Sequence, residues 1–361
     1  MLKQNKRDIL HLTHILALYV CLLGLAACAG VNTKNTQPIY WPAPPAIPRL
    51  VYETTLKSQQ DFQERSYVDR LRQAVSGSAA ESHSFFIKPY DVAAFGGLIA
   101  VSDTRTNLVH VFDVSRKRIF VIGGRGTGRL VQPLGVAIDE QKRIYVADSG
   151  LRKIVVFDQL GHFIRFIGES SDFARLSDVA VSSDGVLVYG IDRGGVDSTS
   201  HQVIIFNIQD KNKSIVGKRG AKLGEFNHPT QAAVDSSGNL YVLDSGNFRV
   251  QVFSSTGVFL RAWGRPGKNF GNFARPRGIA VNRQGYVFVT DAAFQNFQIF
   301  NGHGQLLLPV GEAGDDRPGH YMLPAGIAVD ETERIYVVDQ LYGKIEVMRL
   351  LSEQESQAIK R

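Results

Sequence analysis

Apolar positions in this chain fall into short runs, and the runs come in sets of four. "GVAID" (135–139) is almost wholly apolar, as a strand buried on both faces would be. "RIYVAD" (143–148) and "KIVVFD" (153–158) alternate more, and "FIRFIG" (163–168) ends in glycine. Tight turns such as "DSSGN" (235–239) and "STG" (255–257) separate such runs. The pattern predicts four short antiparallel strands per set. The sets then repeat: Asp103, Asp148, Asp192, Asp244, Asp291 and Asp339 each close an apolar run, at intervals of 44 to 52 residues. Such a unit reads as a propeller blade, and six of them predict an all-β, six-bladed β-propeller.

The last set is short of one strand. "GIAVD", "RIYVVD" and "KIEVMRLL" are followed only by a polar tail, 352–361. An unassigned strand, "RLVYETTL" (49–56), lies far upstream. The expectation is that it closes the ring by completing the final blade, because closure hides sheet edges that an open array would expose. After it, Phe62, Val68, Leu71 and Val75 have rough helical spacing, which predicts a short amphipathic helix packed on the body.

Composition adds the ends of the chain to this picture. With 361 residues, 44% hydrophobic and 35 of them glycine, the chain can bury a large β core. Lys3, Lys6 and Arg7 precede an apolar run from Ile15 to Ala27 that is short for a membrane span, so 1–27 reads as a signal peptide. It ends in "LAAC", which resembles the bacterial lipoprotein signal; the resemblance implies lipid on Cys28 and, with Ala29 next, an outer-membrane location facing the periplasm or cell surface. Cys21 would be removed, so no internal disulfide is expected. Residues 28–48, with "QPIYWPAPPAIP", read as an extended proline-rich tether, 49–87 as closing strand plus helix, and 88–351 as the propeller.

"HPTQAAVDSSGNLYVLDSGNFRVQVFSSTG" (228–257) resembles an NHL repeat, and "QPLGVAIDEQKRIYVADSGLRKIVVF" and "RPRGIAVNRQGYVFVTDAAFQNFQIF" are similar with substitutions. The resemblance extends over about 88–350 and implies the same six-bladed fold. "WPAPPAIPRL" adds a likeness to exported bacterial NHL-repeat lipoproteins. Blade three departs: "DRGGVDSTSHQ" (192–202) lengthens a loop, and the P-x-G entry is missing. Six recurrences of the strand-ending aspartate argue for a structural corner rather than catalysis. Each is expected to accept hydrogen bonds from the turn that follows it. Phe112, Phe157, Phe206, Phe253 and Phe300, in register on the third strands, read as core.

Charge points to a face. The formal net charge is +7, of which residues 1–27 carry +2, leaving about +5. In a propeller the between-blade loops and the turns joining strands two and three share one face. Here those segments hold Arg105, Arg125, Arg129, Arg152, Arg193, Lys218, Arg219, Lys222, Arg265, Lys268, Arg275 and Arg277, interrupted by Glu169, Asp172, Glu312, Asp315 and Asp316. The reading is a rim that binds an anionic envelope protein or glycan, with the membrane reached through the lipid and no nucleic acid as partner. Solvated loops, or a plain structural spacer, are the rival readings.

Catalysis is the alternative. Propellers of this type include metal-dependent lyases and lactonases with a site in the central channel. At the positions entering the channel stand Lys88, Gln132, His228, Arg275 and Leu323, with His228 the one metal-ligand type. Three converging ligands and an open position are what catalytic zinc needs, so no metal, cofactor or catalytic residue is assigned. "GGRGTGRL" (123–130) is followed by a strand instead of a helix and reads as a connector.

Overall fold

The computed structural model describes residues 38–58, 84–195 and 197–360. The signal peptide, Cys28 and the helix expected after residue 58 fall outside them. The chain divides into two compact units, Met1–Pro38 and Ile39–Arg361, and the fold belongs to the second.

After β1 (Tyr40–Trp41) and β2 (Leu50–Leu56), the chain builds its first blade from β3 (Pro89–Phe95), β4 (Leu98–Asp103), β5 (Leu108–Asp113) and β6 (Arg118–Ile122). The second blade is β7 (Pro133–Ile138), β8 (Ile144–Asp148), β9 (Lys153–Phe157) and β10 (Phe163–Ile167). The third is β11 (Leu176–Val181), β12 (Leu187–Asp192), β13 (Gln202–Asn207) and β14 (Asn212–Val216). The fourth is β15 (Pro229–Val234), β16 (Leu240–Asp244), β17 (Arg249–Phe253) and β18 (Phe259–Trp263). The fifth is β19 (Pro276–Val281), β20 (Val287–Asp291), β21 (Asn296–Phe300) and β22 (Leu306–Val310). A short parallel pair, β23 (Glu312–Ala313) with β24 (His320–Tyr321), precedes the sixth blade. That blade runs β25 (Pro324–Val329), β26 (Arg334–Asp339), β27 (Lys344–Leu350), and then β2 and β1.

The inner strands β3, β7, β11, β15, β19 and β25 each adjoin the next, and β25 returns to β3. The ring is closed. Closure uses the upstream strand as expected: Leu50 pairs with Leu350 and Leu56 with Ile345. A bulge between Tyr52 and Thr54 frees Glu53, whose carboxylate accepts from Arg334 Nε at 2.6 Å and Arg349 Nε at 3.1 Å. Two features of the ends differ from expectation. The proline-rich segment is not a free tether as far as residue 48: β1 adds a fifth strand and Trp41 packs on the core of this blade, against Gly319. The polar tail is a helix, α1 (Glu353–Lys360), tied back by an Arg349–Glu355 ion pair at 3.0 Å.

The recurring aspartate has a wider role than the turn alone. Each is fully buried and sits opposite the first residue of its inner strand, as Pro133 opposite Asp148 and Leu176 opposite Asp192. Asp291 accepts from Ala293 N and Phe294 N in the following turn, and from Ala274 N and Arg275 N in the loop entering the blade. Asp103, Asp148 and Asp339 repeat this. Blade three keeps the corner through Ala174 N, Arg175 N and Gly194 N, so its long loop leaves the architecture intact. Blade four substitutes side chains: Asp244 takes Asn227 N, Asn247 Nδ2, Arg249 Nε and Gln251 Nε2. Asp291→Ala would leave four backbone donors without this acceptor, and a loss of roughly 3 kcal/mol or more is expected from denaturant unfolding. Asp291→Asn keeps an acceptor and should lose less.

Core phenylalanines on the third strands are buried as expected. Three of them meet a phenylalanine from a between-blade loop: Phe206 meets Phe173 at 6.0 Å between ring centroids, Phe253 meets Phe226 and Phe300 meets Phe273, both at 5.6 Å. The loop residue needs a glycine at the end of the fourth strand. At Gly217 (φ +78°) a Cβ would lie 2.4 Å from the Phe226 ring.

Candidate functional site

Because the corner aspartates bond both the strand two–three turn and the blade entry, those two kinds of segment lie on one face. The between-blade loops of that face are also pinned from below by Leu130, Phe173, Phe226, Phe273 and Tyr321, all buried. They are variable in sequence yet anchored in the core, and anchored loops lose less entropy when they bind.

The expected basic rim is there, and its pairing is lopsided. All of its lysines and arginines are exposed except Arg193 and Arg277, which are half-buried. Among the described residues, Arg105, Arg125, Arg129, Arg152, Arg193, Lys222, Arg265, Lys268, Arg275 and Arg277 have no ion pair. Lys218 reaches Glu225 at 3.7 Å, and Arg219 donates to Ser198 O. The acids that interrupt the ring are all taken. Glu169 pairs with Lys153, Asp172 with Lys213, Asp315 with Arg317, and Asp316 with Lys57 and Lys344, while Glu312 lies 3.3 Å from His320 Nε2, a contact that is an ion pair when the ring is protonated. Asp197, in the long loop of blade three, is exposed and has no ion pair among the described residues. The face therefore carries more uncompensated positive charge than its composition states.

Lys88, Gln132 and Arg275 are exposed at the blade entries, and their backbone N–H groups serve the corners at Asp103, Asp148 and Asp291. His228 is half-buried with a left-handed backbone (φ 48°), its N–H donating to Nδ1 of the buried His201. The two rings lie 4.7 Å apart. Burial first, then His201, Arg193, Arg219 and Arg175, hold His228 below its ordinary pKa.

Below the mouth runs a channel with a cavity of about 150 Å³, walled mostly by Ala, Val and Ile from the inner strands. Its polar lining is Asp91, Asp178 and Gln231, each 2–3% exposed. Sequence reasoning missed all three. They stand where Gly135, Gly278 and Gly326 stand in the other blades, as "PYD", "LSD" and "PTQ" against "PLG", "PRG" and "PAG". A register shift follows the first residue of every inner strand and sets this position apart from the ladder. Acid and glycine are complementary: a Cβ on Gly135 would lie 1.9 Å from Asp178 Oδ1, and one on Gly326 would lie 2.2 Å from Asp91 Oδ1. Each polar side chain bonds the next blade. Val136 N donates to Asp91 Oδ2 at 2.9 Å, Ala232 N to Asp178 Oδ2 at 2.8 Å, and Ile279 N to Gln231 Oε1 at 3.2 Å. Burial pushes Asp91 up to about 7, and burial with the nearby Asp91 charge pushes Asp178 well above the carboxylate range. Two carboxylates and one amide, each already accepting a backbone N–H, do not supply the ligand set of a catalytic zinc. No cluster of three or more His, Cys, Asp or Glu with metal-binding geometry occurs among the described residues.

Residues 226–253 match the NHL repeat, and residues 82–211 match a family described as a 6-bladed beta-propeller. Among curated proteins, the chain is 31% identical over 134 residues to Protein brain tumor of Drosophila melanogaster; the match covers 36% of this chain but 12% of that protein. Solved structures with a similar fold include a gluconolactonase from Xanthomonas campestris (TM-score 0.54, 17% identity, 74% of this chain and 87% of that one). A streptogramin B lyase (0.53, 12%, 74% and 94%) and an auxiliary nutrient binding protein from Bacteroides thetaiotaomicron (0.55, 10%, 73% and 69%) are also similar. At such identities the likeness is one of fold. Six blades, a ring closed by the upstream strand and the matched repeat make this chain an NHL-repeat six-bladed β-propeller.

Proposed function

We propose that the protein is a binding module of the cell envelope that holds an anionic protein or glycan on its loop face. The observation that supports this most is the imbalance of pairing: the acids singled out on that face are tied up in ion pairs, while most of its bases have none. Unpaired surface cations steer an anionic partner and set how binding responds to salt. The envelope setting is supported by the apolar run ending in "LAAC" and rests on lipid at Cys28.

The test is capture of envelope components by the full chain prepared from membranes. Changing Arg265, Lys268 and Arg275 together to Glu is expected to abolish capture, and raising salt is expected to weaken it for the unaltered chain. Capture indifferent to both would refute the rim. Recovery of the full chain in the soluble fraction would count against the lipid anchor.

A further inference from the structure

One layer above Asp91 and Asp178, the second residues of the blade entries form the throat of the channel. They are Tyr90, Leu134, Ser177, Thr230, Arg277 and Ala325, of which five carry no charge at neutral pH and one is an arginine. The Arg277 guanidinium lies 5.7 Å from the Tyr90 ring centroid, is hydrogen-bonded to the Tyr90 hydroxyl, and reaches Gln340 Oε1 at 3.5 Å. Arg193, from the turn after β12, comes in beside it. No hydrogen bond to the Arg193 side chain exists among the described residues, and its Nε is buried without a partner.

Both guanidiniums are half-buried, and their neighbours are wrong for cations. Burial is the main opponent of both charges; Tyr90 offsets part of it, while Arg175 and Arg277 add to it at Arg193 and Arg275 adds to it at Arg277. A desolvated guanidinium without an acceptor is costly, and an oxyanion bridging two such forks removes the cost. The acids beneath do not do so, since their bonded oxygens face backbone N–H groups of the neighbouring blades.

We propose that the throat formed by Tyr90, Arg193 and Arg277, with Arg175 and His228 at its edge, binds a carboxylate. This rests on the anionic-partner reading and deepens it, by giving the partner a charged end that enters the ring. A carboxylate suits the place better than a phosphate. It is planar, and its two oxygens match the guanidinium fork. A free small acid and the end of a peptide both present this group, and the chemistry at the throat is the same.

The experiment uses the unaltered full chain, so misfolding cannot confuse it. Arginines are labelled with phenylglyoxal and mapped by mass spectrometry at constant ionic strength, with glucuronate, a short peptide with a free C-terminal carboxylate, its C-terminal amide, or inorganic phosphate present. The expected result is saturable protection of Arg193 and Arg277, with Arg125 and Arg265 labelled as before. Protection by glucuronate and not by the peptide assigns a free acid; protection by peptide acid and not amide assigns a chain end. Arg277→Gln is expected to weaken binding of the protecting probe about tenfold or more, the worth of a lost charge-assisted bond. No selective protection by either carboxylate, or preference for phosphate, overturns the proposal. Selective protection with loss of capture only in the Arg265, Lys268 and Arg275 variant would separate the throat from the rim. So would the converse, in which capture persists and the throat stays unprotected.

Discussion

A chain lacking Leu50–Leu56 is expected to lose the cooperative unfolding transition of the propeller, with a melting midpoint lowered far beyond the effect of any single core substitution. The deletion strips the strand paired along β27 and uncovers Leu350, Met348 and Ile345 opposite it. Leu50 and Leu56 are buried, and two buried leucines alone carry roughly 3–6 kcal/mol. Arg334 and Arg349 also lose the shared Glu53 carboxylate, and β1 loses the strand it pairs with. Domains of this kind hold a net stability of about 5–15 kcal/mol, so this one strand is a large part of it. Leu50→Asp should reproduce much of the loss without shortening the chain. A melting curve unchanged by the deletion would mean that the ring does not depend on its closing strand.

Neutralising the channel acids is expected to act in the other direction. Asp91, with its carboxyl raised to about 7, binds a proton in the folded state that the unfolded chain has released above about pH 4. Its cost is absent below that range, grows as pH rises, and is complete above about pH 7; for one group it is on the order of 4 kcal/mol. Asp178 is raised in the same direction. Asp91→Asn and Asp178→Asn should therefore stabilise the protein at pH 8 and change little at pH 5, because the side-chain oxygen still accepts from Val136 N or Ala232 N. His110 is held neutral mainly by burial and pulls the unaltered protein the opposite way near pH 6. The difference between variant and unaltered chain removes that contribution. Denaturant midpoints at the two pH values decide it: an equal effect at both would show that burial does not raise these carboxyls.

Most of the architecture was legible because it is periodic. Six repeats of one pattern give six independent readings of each strand, and the missing fourth strand of the last set pointed to its substitute upstream. The corner aspartates were legible as turn acceptors but not as links to the blade entry, since those amides lie 15 to 18 residues earlier in the chain. Asp91, Asp178 and Gln231 were missed for a related reason. The repeats align on a glycine at this position, and the missing P-x-G entry of blade three gave no sign of which way its replacement faces. Only the ring brings them together, from blades one, three and four. The charge of the rim was legible as composition, but which bases are left unpaired depends on partners such as Lys153, Lys213 and Arg317 that lie outside the basic list.

Ring closure also sets an order of events. Residues 50–56 leave the ribosome before the strand they must pair with, 345–350, and nearly the whole propeller is made in between. Until translation reaches that point, the early strand has no template. Joining ends so far apart is slow, though the entropic cost rises only with the logarithm of the distance. A growing chain therefore carries one unpaired, adhesive strand for most of its synthesis, and that edge stays open until the final turn of the wheel is in place.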